Sequence, residues 1–426
     1  MKNKKETLLI LTILITICII IFNRDKLYEA KYIEPKDTLL AITINGEIST
    51  TFPTTAAYET SVECTTGTGK VEWNGTKWVL TTSGITKGST KCNATFNQTL
   101  RQSILANNEV KTPITTPGAA ISTASEALLA SAVDDYGTSY YFRGAVTNNY
   151  VEFANKCWRI VRISGDGSVK LILHNDNTTK AVNPCDSANN SEDAAFARYN
   201  GTTYTSAFNS SYNDNAYVGF KYGTPGSSTY EATHANTNNS TILTNLETWY
   251  TNNLKTYESV IDNSVWCNDK TNVTDTSYNP WGYSNVNGLG YGTNITYYGA
   301  TQRLIGTSGS AGGTGPSLKC NGELSKINSK VGLITADELA LAGYAWNIGN
   351  TTTYLQENAT DTYWWSLSPY FFSGGSAYVW DVYGSIGRLL NYGVRITSGL
   401  RPSISLKSTT NATGNGTSDS PFIISM

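Results

Sequence analysis

The densest group of residues that could do chemistry in this 426-residue chain is a run of aromatic side chains near its C-terminus. Ten of the 30 residues from Tyr363 to Tyr392 are Tyr, Trp or Phe, and the run carries only two charged residues, Asp381 and Arg388. Aromatic rings give a large contact area at a small cost in rotamer entropy, and Tyr, Ser and Gly are the residues that binding loops use. The pattern indicates ligand recognition rather than proton transfer.

The aromatic run divides into core residues and candidate ligand-binding residues. Trp364, Trp365 and Leu367 fit the core of a strand better than its surface. The others are predicted to form one exposed binding face, which consists of Tyr370, Phe371, Phe372, Tyr378, Trp380, Asp381, Tyr383, Arg388 and Tyr392. The competing account is that these side chains are buried, so that their replacement unfolds the domain.

Residue types that serve as catalysts are scarce elsewhere. His174 and His234, the two histidines, lack a metal-binding spacing and are predicted to be solvated loop residues. Asp337 and Glu338 stand at a predicted helix start and are expected to cap the helix rather than act as an acid/base pair. The segment Gly306-Thr-Ser-Gly-Ser310 lacks the last glycine of a serine-hydrolase motif. We therefore predict no catalysis, no cofactor and no metal site.

The composition favours a neutral, polar surface. Lys and Arg number 31 against 33 Asp and Glu, a net charge of −2, and charged residues make up 15% of the chain, well below the average of about 25%. This balance argues against a nucleic-acid partner. A surface rich in Asn, Thr, Ser, Gly and Tyr is typical of secreted and cell-surface binding proteins.

The N-terminus carries the pattern of a membrane segment. Three lysines precede the uncharged run from Thr7 to Phe22, which spans about 24 Å as a helix. A signal peptide and an uncleaved anchor both fit this run, and the lack of a small-residue cleavage site favours the anchor. The lysine cluster predicts residues 1–6 in the cytoplasm and the bulk of the chain outside the cell.

The cysteines agree with export. Cys18 falls in the apolar run, and the other six form no CxxC pair, which disfavours zinc and redox motifs. Disulfides are the preferred interpretation, with buried free thiols as the alternative. Proximity along the chain selects three of the 15 possible pairings: Cys64 with Cys92, Cys157 with Cys185, and Cys267 with Cys320.

Two extracellular domains are predicted. Residues 36–100 indicate a small, sandwich-like β module with strands at 39–44, 58–64, 71–73, 78–82 and 92–96. Residues 101–133 are predicted to be a linker that contains a short helix at 127–133 after a capping-box spacing. Residues 134–426 are predicted to be one larger mixed domain.

The larger domain combines strands with two main helices, so the predicted fold class is α+β with twisted antiparallel sheets. The Gly165-Asp166-Gly167 turn predicts a hairpin between 157–163 and 168–173. Helical spacing of apolar residues predicts a helix over 240–254. A strand over 331–334 is expected to lead into a second helix that ends near Gly343, and 216–222 is a further candidate strand.

Three stretches taken in order carry a resemblance to a known family. They are Val331-Gly-Leu-Ile-Thr-Ala-Asp-Glu-Leu-Ala-Leu-Ala-Gly343, Tyr363-Trp-Trp-Ser-Leu-Ser-Pro369 and Gly399-Leu-Arg-Pro-Ser-Ile-Ser-Leu406. Over about residues 134–426, the chain resembles C-type-lectin-like domains of the formylglycine-generating-enzyme type. It is also similar to a group of anchored surface proteins of low-GC Gram-positive bacteria, through Tyr140 to Tyr150 and Asn268-Asp-Lys.

The resemblance carries both positive and negative implications. In variable proteins of diversity-generating retroelements, which share that fold, the corresponding C-terminal segment is the ligand surface, and the arginine at the position of Arg401 is structural. The oxidase of the fold needs a late cysteine pair, whereas no cysteine follows Cys320. The calcium-dependent sugar site is matched only remotely, by Trp380-Asp381.

Three functions compete at this point. We expect a cell-surface ligand-binding protein or adhesin whose partner is a protein or a glycan. The alternatives are a surface glycan-processing enzyme, which needs two carboxylates facing each other across a cleft, and a structural envelope protein that assembles through its aromatic surface.

Overall fold

The computed structural model describes residues 38–55, 58–282 and 288–424. The predicted anchor at Thr7 to Phe22 lies outside them. Within the described part, 37% of the residues are in strands and 14% are helical, with five α-helices. The α+β prediction is therefore wrong, because strands hold more than twice as many of the described residues as helices do and the helices are short. The described residues include no helix that is both long and apolar enough to cross a membrane.

The chain divides into two compact units between Gln102 and Ser103. The described strands of the first unit are β1 (Leu39–Ile44), β2 (Glu47–Ser49), β3 (Glu59–Cys64), β4 (Thr68–Trp73), β5 (Trp78–Ser83) and β6 (Lys91–Asn97). Four of them form one sheet in the order β2-β1-β6-β3, with β1 and β6 parallel, and β4 pairs with β5 in a separate hairpin. Five of these strands overlap those predicted, and β2 is not predicted.

A small aromatic core holds the first unit together. Leu40 and Ile42 alternate along β1 and are both buried, as the period of a strand requires. The ring of Phe96 packs edge-on against Trp78 at 5.2 Å. Cys64 and Cys92 face each other on β3 and β6 and form a disulfide, which closes a loop of 28 residues. A bridge over such a loop contributes roughly 3 kcal/mol, which matters to a core of this size.

The second unit contains most of the secondary structure. Helix α1 (Leu100–Asn107) follows β6 and spans the boundary between Gln102 and Ser103. The other helices are α2 (Tyr230–Thr233), α3 (Thr241–Asn253), α4 (Gly299–Leu304) and α5 (Ala336–Ala342). The strands of this unit are β7 (Ala127–Asp134), β8 (Gly137–Gly144), β9 (Tyr150–Phe153), β10 (Lys156–Ile163), β11 (Val169–Asn175), β12 (Thr205–Ala207), β13 (Lys221–Tyr222), β14 (Asn238–Asn239), β15 (Ser264–Cys267), β16 (Thr296–Tyr297), β17 (Lys326–Ser329), β18 (Tyr363–Ser373), β19 (Ser376–Tyr383), β20 (Arg388–Gly393), β21 (Thr397–Gly399), β22 (Ser403–Leu406), β23 (Ala412–Thr413) and β24 (Phe422–Ile424).

Two sheets organise these strands. The first contains eight strands in the order β22-β11-β10-β9-β24-β23, with β8 paired to β10 and β7 paired to β8. The second contains six strands in the order β12-β21-β18-β19-β20, with β16 paired to β18. The long hairpin β18–β19 dominates the second sheet and carries most of the aromatic run.

Several predicted elements of this unit are confirmed. The hairpin around Gly165 forms between β10 and β11. Helix α3 begins after Ser240, whose hydroxyl accepts a hydrogen bond from the Leu243 N–H. Helix α5 has a complete capping box, and Gly343 ends it with a φ of 124°. The two remaining disulfides, Cys157–Cys185 and Cys267–Cys320, are the pairs predicted from chain proximity.

The predicted helix at 127–133 is wrong, because this segment is strand β7, which pairs with β8 along its whole length. Its capping-box glutamate, Glu126, is engaged elsewhere. The buried Glu126 carboxylate pairs with Arg143 Nε at 3.0 Å and accepts hydrogen bonds from the Ile114 N–H and the Thr115 hydroxyl. A short apolar run fits a helix or a strand equally well, so tertiary pairing decides.

Two predicted strands also differ. Residues 216–222 contain a 3₁₀ turn (Asn215–Val218) followed by β13, because the Asp214 side chain accepts from the Ala216 N–H and caps that turn. Residues 331–334 form no named strand and contribute one bridge, between Gly332 and Ser403. Helix α5 is therefore preceded by strand β17 rather than by a strand that runs into it.

Candidate ligand-binding cleft

Several charged residues of the second unit line a small cavity of about 40 Å³. We call it the charged cavity and define it by Arg162 on β10, Lys170 on β11, Arg303 on α4, and Asp337 and Glu338 on α5. Glu338 Oε1 accepts from Arg162 Nε at 2.8 Å and from Lys170 Nζ at 2.7 Å. Asp337 Oδ1 accepts from Arg303 Nε at 2.7 Å.

Glu338 and Asp337 of the charged cavity are paired with basic side chains, as expected of residues that stabilise the fold. Burial alone raises the pKa of Glu338, but Lys170 and Arg162 outweigh it and lower that pKa to about 2. Burial lowers the pKa of Lys170 to about 8. The second Glu338 oxygen accepts from the Thr335 N–H and completes the capping box. The prediction that Asp337 and Glu338 belong to a helix start is confirmed, because every oxygen of Glu338 has a structural partner.

The two histidines are not solvated, so that prediction is wrong. His174 and His234 are both fully buried. Burial, helped by nearby cations, lowers the pKa of His174 well below its ordinary value and that of His234 to about 3. His234 Nε2 lies 2.8 Å from the Gly290 carbonyl oxygen, and the Asn358 amide donates to the His174 carbonyl. Both side chains are neutral parts of the core.

An open cleft of about 370 Å³ lies on one face of the second sheet. We call it the aromatic cleft. It is lined by five aromatic residues and three small or polar ones, namely Trp281, Trp346, Tyr370, Phe371, Tyr378, Ser373, Gly374 and Asn391.

The β18–β19 hairpin builds one side of the aromatic cleft. Register shifts in β18 on both sides of Pro369 interrupt its alternation, so the neighbours Tyr370 and Phe371 both reach the cleft. The hairpin turns through Gly374 and Gly375, with φ of 59° and 72°. Positive φ at both central residues is the requirement of a type I′ turn, which glycine meets without strain.

Two loop tryptophans build the opposite side. Trp346 follows α5, and the N–H of the next residue, Asn347, donates to the Leu389 carbonyl, which fixes this loop to β20. The Trp346 indole N–H donates to the Gly309 carbonyl at 3.1 Å. The segment around Gly309, which partly matches a serine-hydrolase motif, therefore holds the Trp346 ring in position at one side of the cleft.

The aromatic rings of the cleft contact one another. The Trp346 ring stacks on Tyr370 at 5.5 Å and 28°, and Trp281 lies 5.6 Å from Tyr370 and 6.0 Å from Trp346. Beneath them, the buried Trp380 ring packs edge-on against Tyr370 at 4.9 Å. The rings thus form a continuous platform with Trp281, Trp346 and Tyr378 half exposed along it.

The prediction of one contiguous exposed face is wrong. Tyr370 and Phe371 line the cleft but expose only 4% and 6% of their surface, and Phe372, Trp380 and Asp381 are fully buried. Tyr378 is the one predicted residue that both lines the cleft and is half exposed.

The other predicted residues belong to the reverse face of the sheet. Asp381 and Tyr383 alternate with Tyr378 and Trp380 along β19. Arg388 and Tyr392 pair with Tyr383 and Val379 and so share that reverse face. There Tyr383 and Tyr392 stack on Tyr363, at 4.4 and 5.1 Å between ring centroids.

Asp381 is an unusual member of the reverse face. Its side chain is fully buried, and neither carboxylate oxygen has a hydrogen-bond partner among the described residues. Burial raises its pKa well above the ordinary value. It is not a ligand-binding group of the cleft.

Sequence reasoning misses five of the eight residues that line the cleft. Trp281, Trp346, Ser373, Gly374 and Asn391 were not among the predicted site residues. The sequence does carry a signal for the two tryptophans, because each is surrounded by the loop-forming residues Asn, Gly or Pro, as in Asn279-Pro-Trp-Gly282. A large aromatic residue in such a segment does not belong to a predicted strand.

Arg401 is a structural residue of this unit. It is 1% exposed, and its guanidinium donates to the carbonyl oxygens of Leu173 and Leu355 at 2.9 and 2.6 Å. These bonds tie the last strands to β11 and to the loop before β18.

Comparison of the chain with protein-family models, with curated proteins and with solved structures found no match. The resemblance to C-type-lectin-like domains of the formylglycine-generating-enzyme type therefore stays a prediction. The three disulfides are consistent with an extracellular protein.

Proposed function

We propose that this protein is a cell-surface ligand-binding protein that holds its ligand in the aromatic cleft and performs no catalysis. In this proposal the run from Thr7 to Phe22 anchors the chain in the membrane and the C-terminal bulk lies outside the cell. The disulfides support the outside location, since such bonds persist in oxidising compartments.

The observation that carries the proposal is the combination of exposed rings and unpaired polar groups in one cleft. Half-exposed Trp281, Trp346 and Tyr378 offer contact area without long flexible side chains. No side-chain hydrogen bond joins Ser373, Tyr378 or Asn391 to another described residue, so these groups are available to a ligand. Apolar pockets with a few convergent polar groups are the usual form of ligand sites.

The distribution of charge favours binding over glycan processing. A glycosidase needs two carboxylates that face each other across the substrate. The described residues that line the aromatic cleft include no carboxylate. Asp337 and Glu338 lie at the charged cavity, where arginine and lysine side chains hold them.

The test is a binding screen of the full-length protein in detergent micelles against immobilised extracellular-matrix proteins, peptides and glycans. Tyr378→Ala removes one exposed ring of the cleft, and Tyr136→Ala removes an aromatic side chain that is 55% exposed elsewhere in the same unit. We expect every specific ligand to bind about tenfold or more weakly to Tyr378→Ala.

Tyr136→Ala should bind like the unmodified protein. Unchanged binding of all captured ligands by a folded Tyr378→Ala protein would show that the cleft is not the binding site.

A further inference from the structure

We infer that the ligand of the aromatic cleft is an uncharged carbohydrate, bound with the flat face of a pyranose ring on the aromatic platform and without calcium. This inference rests on the proposed function and adds to it the chemical class of the ligand. It follows from the arrangement of the rings, from the polar groups at the rim and from the absence of charge in the described lining.

The arrangement of the rings suits a flat ligand. Trp346 and Tyr370 stack within 28° of parallel, and Trp281 lies within 36° of Tyr370. The C–H groups of a sugar ring carry partial positive charge from their neighbouring oxygens and are attracted to the negative faces of aromatic rings. Trp281 and Trp346 are inclined at 58° to each other, so the face of either tryptophan, rather than both together, matches one face of a pyranose.

The polar groups at the rim match sugar hydroxyls. The Asn391 amide can both donate and accept, as can the hydroxyls of Ser373 and Tyr378, and a sugar hydroxyl needs partners of both kinds. Asn391 is held beside the platform because it pairs with Trp380 across β19 and β20. The volume of about 370 Å³ falls in the range of small-molecule sites.

The absence of charged residues from the described lining argues against an anionic ligand, and the arrangement of the rings argues against a quaternary ammonium ion. An anionic glycan or a phosphate would call for Arg or Lys, and neither lines the cleft in the described residues. A quaternary ammonium ion fits a cage whose rings surround it, whereas Trp281, Trp346 and Tyr370 lie in contact, between 5.5 and 6.0 Å apart. Calcium would need several oxygen ligands, usually with carboxylates, and the described lining has no carboxylate.

The experiment is a glycan array probed with full-length protein in a calcium chelator, with neutral oligosaccharides printed beside sialylated and sulfated ones. Binding to neutral glycans is expected, and Tyr378→Ala should weaken it about tenfold while Tyr136→Ala leaves it unchanged. Asn391→Leu, which keeps about the size of the side chain and removes its donor and acceptor, should also weaken it about tenfold, because a sugar hydroxyl in the complex loses its hydrogen-bond partner.

The outcomes separate this inference from the proposed function. Absence of binding to every neutral glycan, a requirement for calcium, or stronger ligand binding by the apolar variant Asn391→Leu would overturn the carbohydrate assignment. If binding to a protein, a peptide or a charged glycan is still lost in Tyr378→Ala, the cleft remains a binding site and only the ligand class fails. If Tyr378→Ala alters no binding at all, both fail. Thermal melts of each variant confirm that it is folded.

Discussion

The charged cavity and the aromatic cleft both lie in the second unit, and they differ in how their polar groups are satisfied. In the charged cavity, Glu338 and Asp337 are held by cations at 2.7 to 2.8 Å. In the aromatic cleft, Asn391, Ser373 and Tyr378 make no side-chain hydrogen bond to the described residues. The polar groups of the charged cavity are paired within the protein, whereas these three side chains of the aromatic cleft have no such partner among the described residues.

The comparison shows why a concentration of charge is a poor guide to function here. Nine acidic or basic residues line the charged cavity, which has a volume of about 40 Å³, whereas the uncharged cleft has a volume of about 370 Å³. Buried charges are retained only when they are paired, so a fully paired cluster is what a scaffold requires. Three substitutions are described next, in order of their expected effect on stability: one in the charged cavity, one on the reverse face of the second sheet and one in the aromatic cleft.

Glu338→Gln should have the largest effect. The substitution leaves the buried Lys170 without its carboxylate partner and removes one of the two acidic partners of Arg162. Breaking a buried ion pair on one side costs about 3 to 5 kcal/mol. We expect a loss of this size in the free energy of unfolding, measured by chemical denaturation.

Glu323→Gln is the matched control. The Glu323 side chain is 87% exposed and pairs with Lys326 on the surface, so its loss should cost less than about 1 kcal/mol. Equal, small effects of the two substitutions would show that the charged cavity does not support the fold.

Asp381→Asn should raise stability at neutral pH. Below the ordinary pKa of an aspartate both states hold the proton; as the pH rises the unfolded state ionises and the buried carboxyl does not. The folded state then loses about 1.4 kcal/mol per pH unit until its own, raised pKa is reached. The asparagine removes this cost, so a gain of about 1 to 3 kcal/mol is expected at pH 7.

The gain from Asp381→Asn should fade as the pH falls towards the ordinary aspartate pKa. Denaturation curves at several pH values measure it, with the exposed Asp419→Asn as the control. A variant that is destabilised at neutral pH and regains its stability at low pH, relative to the unmodified protein, would mean that Asp381 is held as an ionised carboxylate and would contradict this prediction.

Tyr378→Ala should have the smallest effect on stability. Its ring is half-buried and stacks on no aromatic ring of the described residues, so a loss of about 1 kcal/mol or less is expected from a thermal or chemical melt. Trp380→Ala, at the buried floor of the same cleft, should cost about 3 to 5 kcal/mol. A severe loss of stability in Tyr378→Ala would mean that this ring belongs to the core.

Local signals predicted local structure well. The capping box at Thr335, the hairpin around Gly165 and the three disulfide pairs depend on short spacings, and all are found. The same kind of signal failed at Glu126, because Arg143 binds its carboxylate in the tertiary structure and β8 pairs with the segment that follows.

The cleft was predicted only in part, for a physical reason. The aromatic run predicts where aromatic residues are concentrated, but not which face of the sheet each one occupies. The alternation of side chains along β19 places Tyr378 and Asp381 on opposite faces. In β18, register shifts on both sides of Pro369 interrupt the corresponding alternation. The opposite wall comes from Trp281 and Trp346, distant in the chain. No spacing within the aromatic run could have revealed them.

The central claim is that the ligand lies on the rings of the aromatic cleft. Hydroxyl-radical footprinting of the full-length protein, with and without a ligand selected on the glycan array, tests it directly. Oxidation of Trp281, Trp346 and Tyr378 should fall when the ligand is bound, while that of the distant, exposed Tyr136 should not change. Unchanged oxidation of all three cleft residues in the saturated complex would contradict the claim.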